Sequence, residues 1–401
     1  MNGRNVIVLI GSMFLVASGY TMVIPFLPLY LLELGVAPSE IGTWSGLVFS
    51  ICFLVAGIMS PVWGKLADAG GKKRMAVRAA VLLGFSYLFG GLCQNEYQLF
   101  AARAFQGVAN GYVAAAMTII SASTKPERLG VVLGFSQTSL IIGGICGPLM
   151  GGVISHLAGM RNCFFISAVL LWLVSLAVIV FVTEPPAKEN TEAPSKRSEA
   201  ESSMMADLQY AYHNTHLREL LVITFLLQCT ILMIQPVTSL YVGELMGTMD
   251  GVEVTAGFIM SAGGIAGALT TALWGKFGQN HGYYFAMLVT MVSAGILTIL
   301  QAVPDQILGF AICQFFVGCF IVGVNPSLNA ALVKYTPASF HGRVFGLSTA
   351  AQQFGNMAGP LLAAVVMYSA LWHVYVLAGV IQLFIGGCLY WNHVRVGESG
   401  K

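Results

Sequence analysis

The chain has 401 residues, of which 57% are hydrophobic and 9% charged, with a formal net charge of +2. Soluble domains carry about 25% charged residues, so a water-soluble globule is excluded; the net charge says nothing about nucleic acid, because the basic residues serve topology, and no nucleic-acid partner is expected. A hydrocarbon core ~30 Å thick needs about 20 apolar residues per helix, and that is the unit in which the chain divides.

Twelve apolar runs meet the requirement, at 6–32, 43–64, 75–93, 98–122, 131–154, 163–183, 218–241, 255–274, 283–301, 306–332, 343–368 and 372–392. The first is longer than a secretory h-region and no small-residue cleavage site follows it, so it counts as span 1 and not as a signal peptide. Placing the N-terminus in the cytoplasm puts 17 of the 19 Lys and Arg residues on the inner side, leaving Arg161 outside and Arg103 within span 4. Basic residues in short loops set orientation, so both termini are expected to be cytoplasmic, in a bacterial inner membrane. Residues 184–217 mix Glu, Lys and Ser with Pro185, Pro186 and Pro194, the composition of a solvated linker. The expected fold is all-α and integral to the membrane, with 12 transmembrane helices in two six-helix halves. These halves are 1–183 and 218–401, joined by the cytoplasmic linker 184–217.

After span 2 the chain reads Gly64-Lys65-Leu66-Ala67-Asp68-Ala69-Gly70-Gly71-Lys72-Lys73-Arg74. Glycine supplies positive φ for a tight turn, and the basic cluster anchors the inner side. Asp68 weakens that anchor, so it calls for a separate role. Span 4 carries Arg103-Ala104-Phe105-Gln106-Gly107, with Arg103 roughly 9 Å along the helix from Tyr97 at ~1.5 Å per residue. An arginine there either snorkels to the headgroups or faces a cavity and marks function, the usual case for an intramembrane charge. In span 5, Gly143, Gly147 and Gly151 fall four apart on one helix face, with Gly152 following. A glycine face lets another helix approach closely in lipid. Pro148 leaves a carbonyl free, which neighbouring helices can satisfy. The eight cysteines lie in or at the ends of spans without metal-ligand spacing. They read as small packing residues, and no metal or cofactor is expected.

The two halves align on each other. At an offset of 211, Pro25, Tyr30, Glu33 and Gly46 fall on Pro236, Tyr241, Glu244 and Gly257, and Trp63-Gly64-Lys65 on Trp274-Gly275-Lys276. At an offset of 212, Gly130, Gly134, Gly143, Gly147 and Pro148 fall on Gly342, Gly346, Gly355, Gly359 and Pro360. Span 11 has Ala363 and Ala364 where span 5 has Gly151 and Gly152, so the packing face is shared and the full pattern belongs to span 5.

Two parallel six-span repeats resemble the major facilitator superfamily, in which substrate binds near the bilayer midplane between the halves. The resemblance runs the length of the chain. The loop at Gly64, Asp68, Gly71, Lys72 and Lys73 is similar to the superfamily's loop signature, although Ala69 stands where a basic residue is usual. It implies that Asp68 latches this loop to the start of span 11, beside Arg343, in the outward-facing state. Arg103 with Gln106-Gly107 resembles the span-4 signature implicated in proton coupling. Gly143, Gly147, Pro148, Gly151 and Gly152 look like the span-5 signature of drug:proton antiporters. The stretches Pro25–Tyr30 and Trp44–Gly46 are similar to a multidrug-efflux subgroup. The resemblance therefore implies a monomer that exports drugs or small amphiphilic compounds by alternating access, in exchange for protons.

One departure stands out. Drug:proton antiporters often hold an acid inside the cavity, whereas no Asp or Glu falls mid-span in this chain. The closest are Glu33 and Glu244, at the outer ends of spans 1 and 7, and Glu33 paired with Arg103 is the expected proton-responsive element. The cavity implied between spans 1, 4, 7 and 10 would be lined by Tyr20, Phe26, Tyr30, Asn110, Tyr112, Gln228, Gln235, Gln314, Asn325 and Asn329, with Met22 and Met233 as adaptable surface. Polar helix-packing contacts are the alternative for each of these residues. An arginine without a buried carboxylate points to neutral, zwitterionic or anionic substrates. The other reading on this fold is a transporter of one metabolite. A membrane-embedded enzyme needs an intramembrane His/Asp/Glu cluster or a catalytic serine with a base, which the spans do not offer.

Overall fold

A computed structural model describes residues 3–184, 204–337 and 340–394. Backbone in a bilayer must close its own hydrogen bonds, and helix is the form these apolar runs take. Span 1 is Gly3–Met22 and, after a turn, Leu27–Glu33; spans 2 and 3 are Ile41–Gly70 and Lys72–Leu92. Span 4 is Glu96–Ala109 and Tyr112–Ser123, span 5 is Pro126–Ala158, and span 6 is Met160–Phe181. In the second half, spans 7, 8 and 9 are Thr215–Met246, Val252–His281 and Tyr283–Leu300. Span 10 is Ile307–Ile321 and Val324–Lys334, followed by span 11, His341–Met367, and span 12, Trp372–Leu389. Ten of these are long and apolar enough to cross a membrane on length and composition alone. The other two are the split span 4 and the glycine-rich, less apolar span 11, which complete the 12.

The breaks have local causes. Pro25 and Pro28 interrupt span 1, whereas span 7 keeps Pro236 but has Ser239 where Pro28 would fall, and its helix runs through. Span 4 stops at Asn110, whose Oδ1 accepts from the Gly111 N–H at 2.7 Å, and Gly111 takes φ +120°, a conformation that favours glycine. Most of the linker lies outside the described residues. Its described end forms a helix, Met204–His213, and span 7 starts at Thr215, ahead of the expected 218.

Each half is welded by a glycine face. A Cβ added at Gly143 would lie 2.6 Å from Phe14 O, and one at Gly147 would lie 2.7 Å from Ser18 O, while Gly151 abuts Met22 O. Span 5 therefore lies backbone to backbone on span 1. Spans 11 and 7 repeat this, Gly355 meeting Phe225 O and Gly359 meeting Cys229 O, which are the same pairs at the repeat offsets.

The halves meet along two seams, span 5 against span 8 and span 2 against span 11. Gly257 abuts Pro148 O, and a Cβ at Gly46 would lie 2.7 Å from Pro360 O, again equivalent contacts. Ser261 donates to Ile145 O at 2.7 Å on one seam, and Ser50 donates to Met357 O at 2.7 Å on the other. All of these lie in the half of the bundle away from the loop between spans 2 and 3. That half is called here the far end, and the opposite one the loop end.

Gly147→Leu should strain the span 1–span 5 weld by about 1–3 kcal/mol or more, the range for overpacking. Gly134, on the same helix, has open space at its Cβ position, so Gly134→Leu should stay within about 0.5 kcal/mol of the parent. Thermal unfolding of both purified variants checks this; equal melting would contradict the weld.

Candidate functional site

Asn95 caps the first segment of span 4 by accepting from the Gln98 N–H at 3.0 Å, and two turns later that helix buries Arg103 to 3% exposure. Arg103 Nη1 donates to Gln106 Oε1 at 2.6 Å, and Nε donates to Val48 O at 3.4 Å. Gln106 Nε2 in turn donates to Tyr87 Oη at 3.0 Å, and the guanidinium carbon lies 5.8 Å from the centre of the Phe49 ring. The cation is thus held by neutral acceptors. Among the described residues no carboxylate pairs with it, so its desolvation is offset only in part. At the repeat offset the second half has Gln314, hydrogen-bonded to Gln301. The buried charge therefore belongs to the first half alone.

Beside Arg103 lies a cavity of about 280 Å³ inside the first half, lined among others by Tyr20, Cys52, Tyr87, Gln106, Asn110 and Tyr112. Tyr20, Asn110 and Tyr112 are expected to line a cavity between spans 1, 4, 7 and 10, whereas this one lies within the first half, where Tyr87 and Gln106 join them. Other residues expected at the cavity lie elsewhere. Phe26 and Tyr30 are fully buried and pack on Phe164 at 5.9 and 5.1 Å between ring centres, and Tyr30 Oη donates to Gly90 O at 3.0 Å. They are core of the first half, as Met22 is, and Met233 is core of the second. Gln314 is likewise tied to Gln301. Gln228, Gln235 and Asn325 are half-buried, and Asn329 is exposed.

The acids also sit differently. Glu33 lies 3.7 Å from Arg161 with both side chains about half exposed, so it faces that surface arginine and not Arg103. Glu244 is exposed and lines a cavity of about 600 Å³ at the far end, where Leu32 and Ile41 of the first half meet Met367 and Tyr368 of the second. The acid that sequence reasoning missed is Glu253. It is buried at the start of span 8, with its Oε1 3.0 Å from Nδ1 of His156 on span 5. This pair bridges the halves. Span 8 begins earlier than its apolar run suggests, which left Glu253 in the loop. The only signal was the repeat, where Gly42 stands in its place. A glycine at 152 accommodates it, since a Cβ there would lie 2.5 Å from Glu253 O.

At the loop end, Gly71 joins spans 2 and 3 at φ +92°. The Lys73 N–H donates to Glu184 at 3.3 Å, and its Nζ donates to Ile179 O at 2.8 Å. Lys72 lines a cavity of about 550 Å³ that reaches from Trp63 and Asn110 to Thr349 and Gln353 on span 11, so residues of both halves line it. The surroundings of Gly64 and the side chain of Asp68 lie outside the described residues. Arg343 pairs with Asp207 of the linker helix at 3.3 Å.

The sequence model of the Major Facilitator Superfamily matches residues 9–300 and 251–399. The chain is 32% identical over 394 residues to the multidrug resistance protein MdtG of Escherichia coli (strain K12 / DH10B), covering 98% of this chain and 95% of MdtG. It is 30% identical over 379 residues to the uncharacterised MFS-type transporter YuxJ of Bacillus subtilis (strain 168), covering 94% of this chain and 95% of YuxJ. Among solved structures, the peptide transporter POT in complex with sulfate superposes with a TM-score of 0.80 at 14% identity, covering 98% of this chain and 95% of POT. The nucleoside transporter NupG superposes with a TM-score of 0.77 at 15% identity, covering 96% of this chain and 98% of NupG. At those identities they show the fold. These likenesses are to membrane transporters, not to enzymes.

Replacing a desolvated cation by an apolar side chain of similar volume is often neutral or stabilising. Arg103→Met should therefore melt at or above the parent temperature while losing transport. A fall of several degrees would make Arg103 a structural residue instead.

Proposed function

We propose that this chain, which belongs to the major facilitator superfamily, exports drugs and other small amphiphilic compounds by alternating access in exchange for protons. The observation that supports this most is the asymmetry between the two ends. The close contacts between the halves, Gly257–Pro148, Gly46–Pro360 and Glu253–His156, gather toward the far end. Residues of both halves line a cavity at each end, and the one at the loop end carries Arg78 and Lys72. With basic residues inside, the loop end faces the cytoplasm, and this is the state that loads substrate from the cell. Likeness to a multidrug resistance protein over nearly the whole chain favours drugs over a single metabolite.

Export then requires the halves to rock about the seams. The far end opens by parting His156 from Glu253, and the loop end closes by bringing Asp68 to the start of span 11. Arg103 is the coupling group held inside one half. Its partners Gln106 and Val48 belong to the same half and move with it.

Cells carrying the gene should accumulate less of several unrelated compounds than cells without it. Collapsing the proton gradient should remove the difference. Equal accumulation across a broad panel would overturn the multidrug reading in favour of a single-metabolite transporter.

A further inference from the structure

We infer that the loop-end cavity contains an anion-binding site built on Arg78, which receives the carboxylate, sulfonate or phosphonate group of an amphiphilic substrate. This rests on the exporter reading above and names a class of cargo for it.

Arg78 is on span 3. Its guanidinium carbon lies 3.5 Å from the centre of the Trp63 ring, a stacked cation–π contact. Trp63 is itself fixed, donating from Nε1 to Val108 O at 2.9 Å. Arg78 Nη2 donates to Asn110 O at 3.1 Å, the carbonyl at the break in span 4. Those contacts hold the fork in place but use one of its three nitrogens. Nε and Nη1 are shielded from solvent and have no hydrogen-bond partner. Leaving charged donors unpaired under shielding is costly, and an arriving anion would relieve that cost.

The surroundings suit an anion with an apolar body. Lys72 lies on the same cavity, and no acid is among its described lining residues. Neither Arg78 nor Lys72 forms an ion pair among the described residues. Apolar wall comes from Ala56, Met75 and Val113, and the other half contributes Thr349 and Gln353. A ligand here touches both halves, so its arrival can bias their packing.

The repeat separates function from folding at this point. The second half reproduces the clamp, Trp274 Nε1 donating to Cys319 O at 2.7 Å, at the positions equivalent to Trp63 and Val108. Yet Val289 and Tyr283 stand where Arg78 and Lys72 would fall. The architecture forms without the cations. Arg103 does not substitute for Arg78, because its Nε and Nη1 are already bonded within the first half.

The test uses full-length protein in phosphatidylcholine vesicles under an imposed proton gradient. Two fluorescent probes share a ring system, anilinonaphthalene sulfonate and the uncharged phenylnaphthylamine. The parent should transport the sulfonate, and Arg78→Gln should lower the sulfonate-to-neutral rate ratio roughly tenfold or more, the scale of losing a charge-assisted hydrogen bond. Arg78→Lys, which keeps the charge but not the fork, should fall between. Gel filtration and thermal unfolding establish that each variant is folded; if Arg78→Gln is not, Lys72→Gln is read by the same ratio. An unchanged ratio, or a parent that moves only the neutral probe, overturns the site. Adding phosphatidylglycerol distinguishes the sources of the anion. If it erases the difference between parent and variant, the site holds a lipid headgroup and the substrate assignment is overturned. A parent that moves neither probe speaks instead against the exporter reading.

Discussion

Close backbone approach between glycine-faced helices is the constraint on which the rest of this structure depends. Lipid gives helices no hydrophobic reason to associate, so packing must come from van der Waals contact and from the short distances small residues permit. Gly143, Gly147 and Gly151 bring span 5 onto the carbonyls of span 1, and Gly355 and Gly359 bring span 11 onto those of span 7. Each half becomes a rigid unit in this way. The seams between the halves use the same device more sparingly, through Gly46, Gly152 and Gly257, and only at one end. The molecule is thus welded within its halves and joined between them along two seams.

The internal repeat distinguishes scaffold from specialisation. Tryptophan–carbonyl clamps, the glycine welds and the contacts of Gly46 and Gly257 recur at the expected offsets. Three charged residues do not recur. Arg103 faces Gln314 across the repeat, Arg78 faces Val289, and Glu253 faces Gly42. On one seam Gly152 meets the main chain of Glu253 and lies beside Gly257, and on the other Ala364 meets Gly46. The Gly-Gly pair that marks span 5 thus serves two neighbours, Gly151 meeting Met22 O of span 1 and Gly152 the main chain of Glu253 on span 8.

Much of this was legible in the sequence, because hydropathy and glycine spacing are local and additive. All 12 spans appear within seven residues of their expected bounds, span 8 running on from 274 to His281, and the repeat offsets alone gave the equivalent contacts. Orientation about a helix axis was less legible. Phe26 and Tyr30 have the character of cavity aromatics, yet they face Phe164 in the core, since nothing local fixes which side of a broken helix meets the cavity. Partner choice between remote charges was not legible either. Glu33 goes to Arg161, a surface neighbour, and His156 finds Glu253 97 positions away on the opposing half. The break at Asn110–Gly111 was readable as a turn dipeptide, but the continuous apolar run around it hid the signal.

The central claim is that the halves move as rigid bodies about the far-end seams. Spin labels at Phe135 and Leu273, exposed positions near the loop ends of spans 5 and 8, report the gap between the halves. Labels at Phe135 and Ile7 report a distance within one half. When a transported compound and a proton gradient are applied, rigid-body motion predicts a new, shorter population for the first pair and an unchanged distribution for the second. A first pair that stays fixed while the second shifts would contradict it.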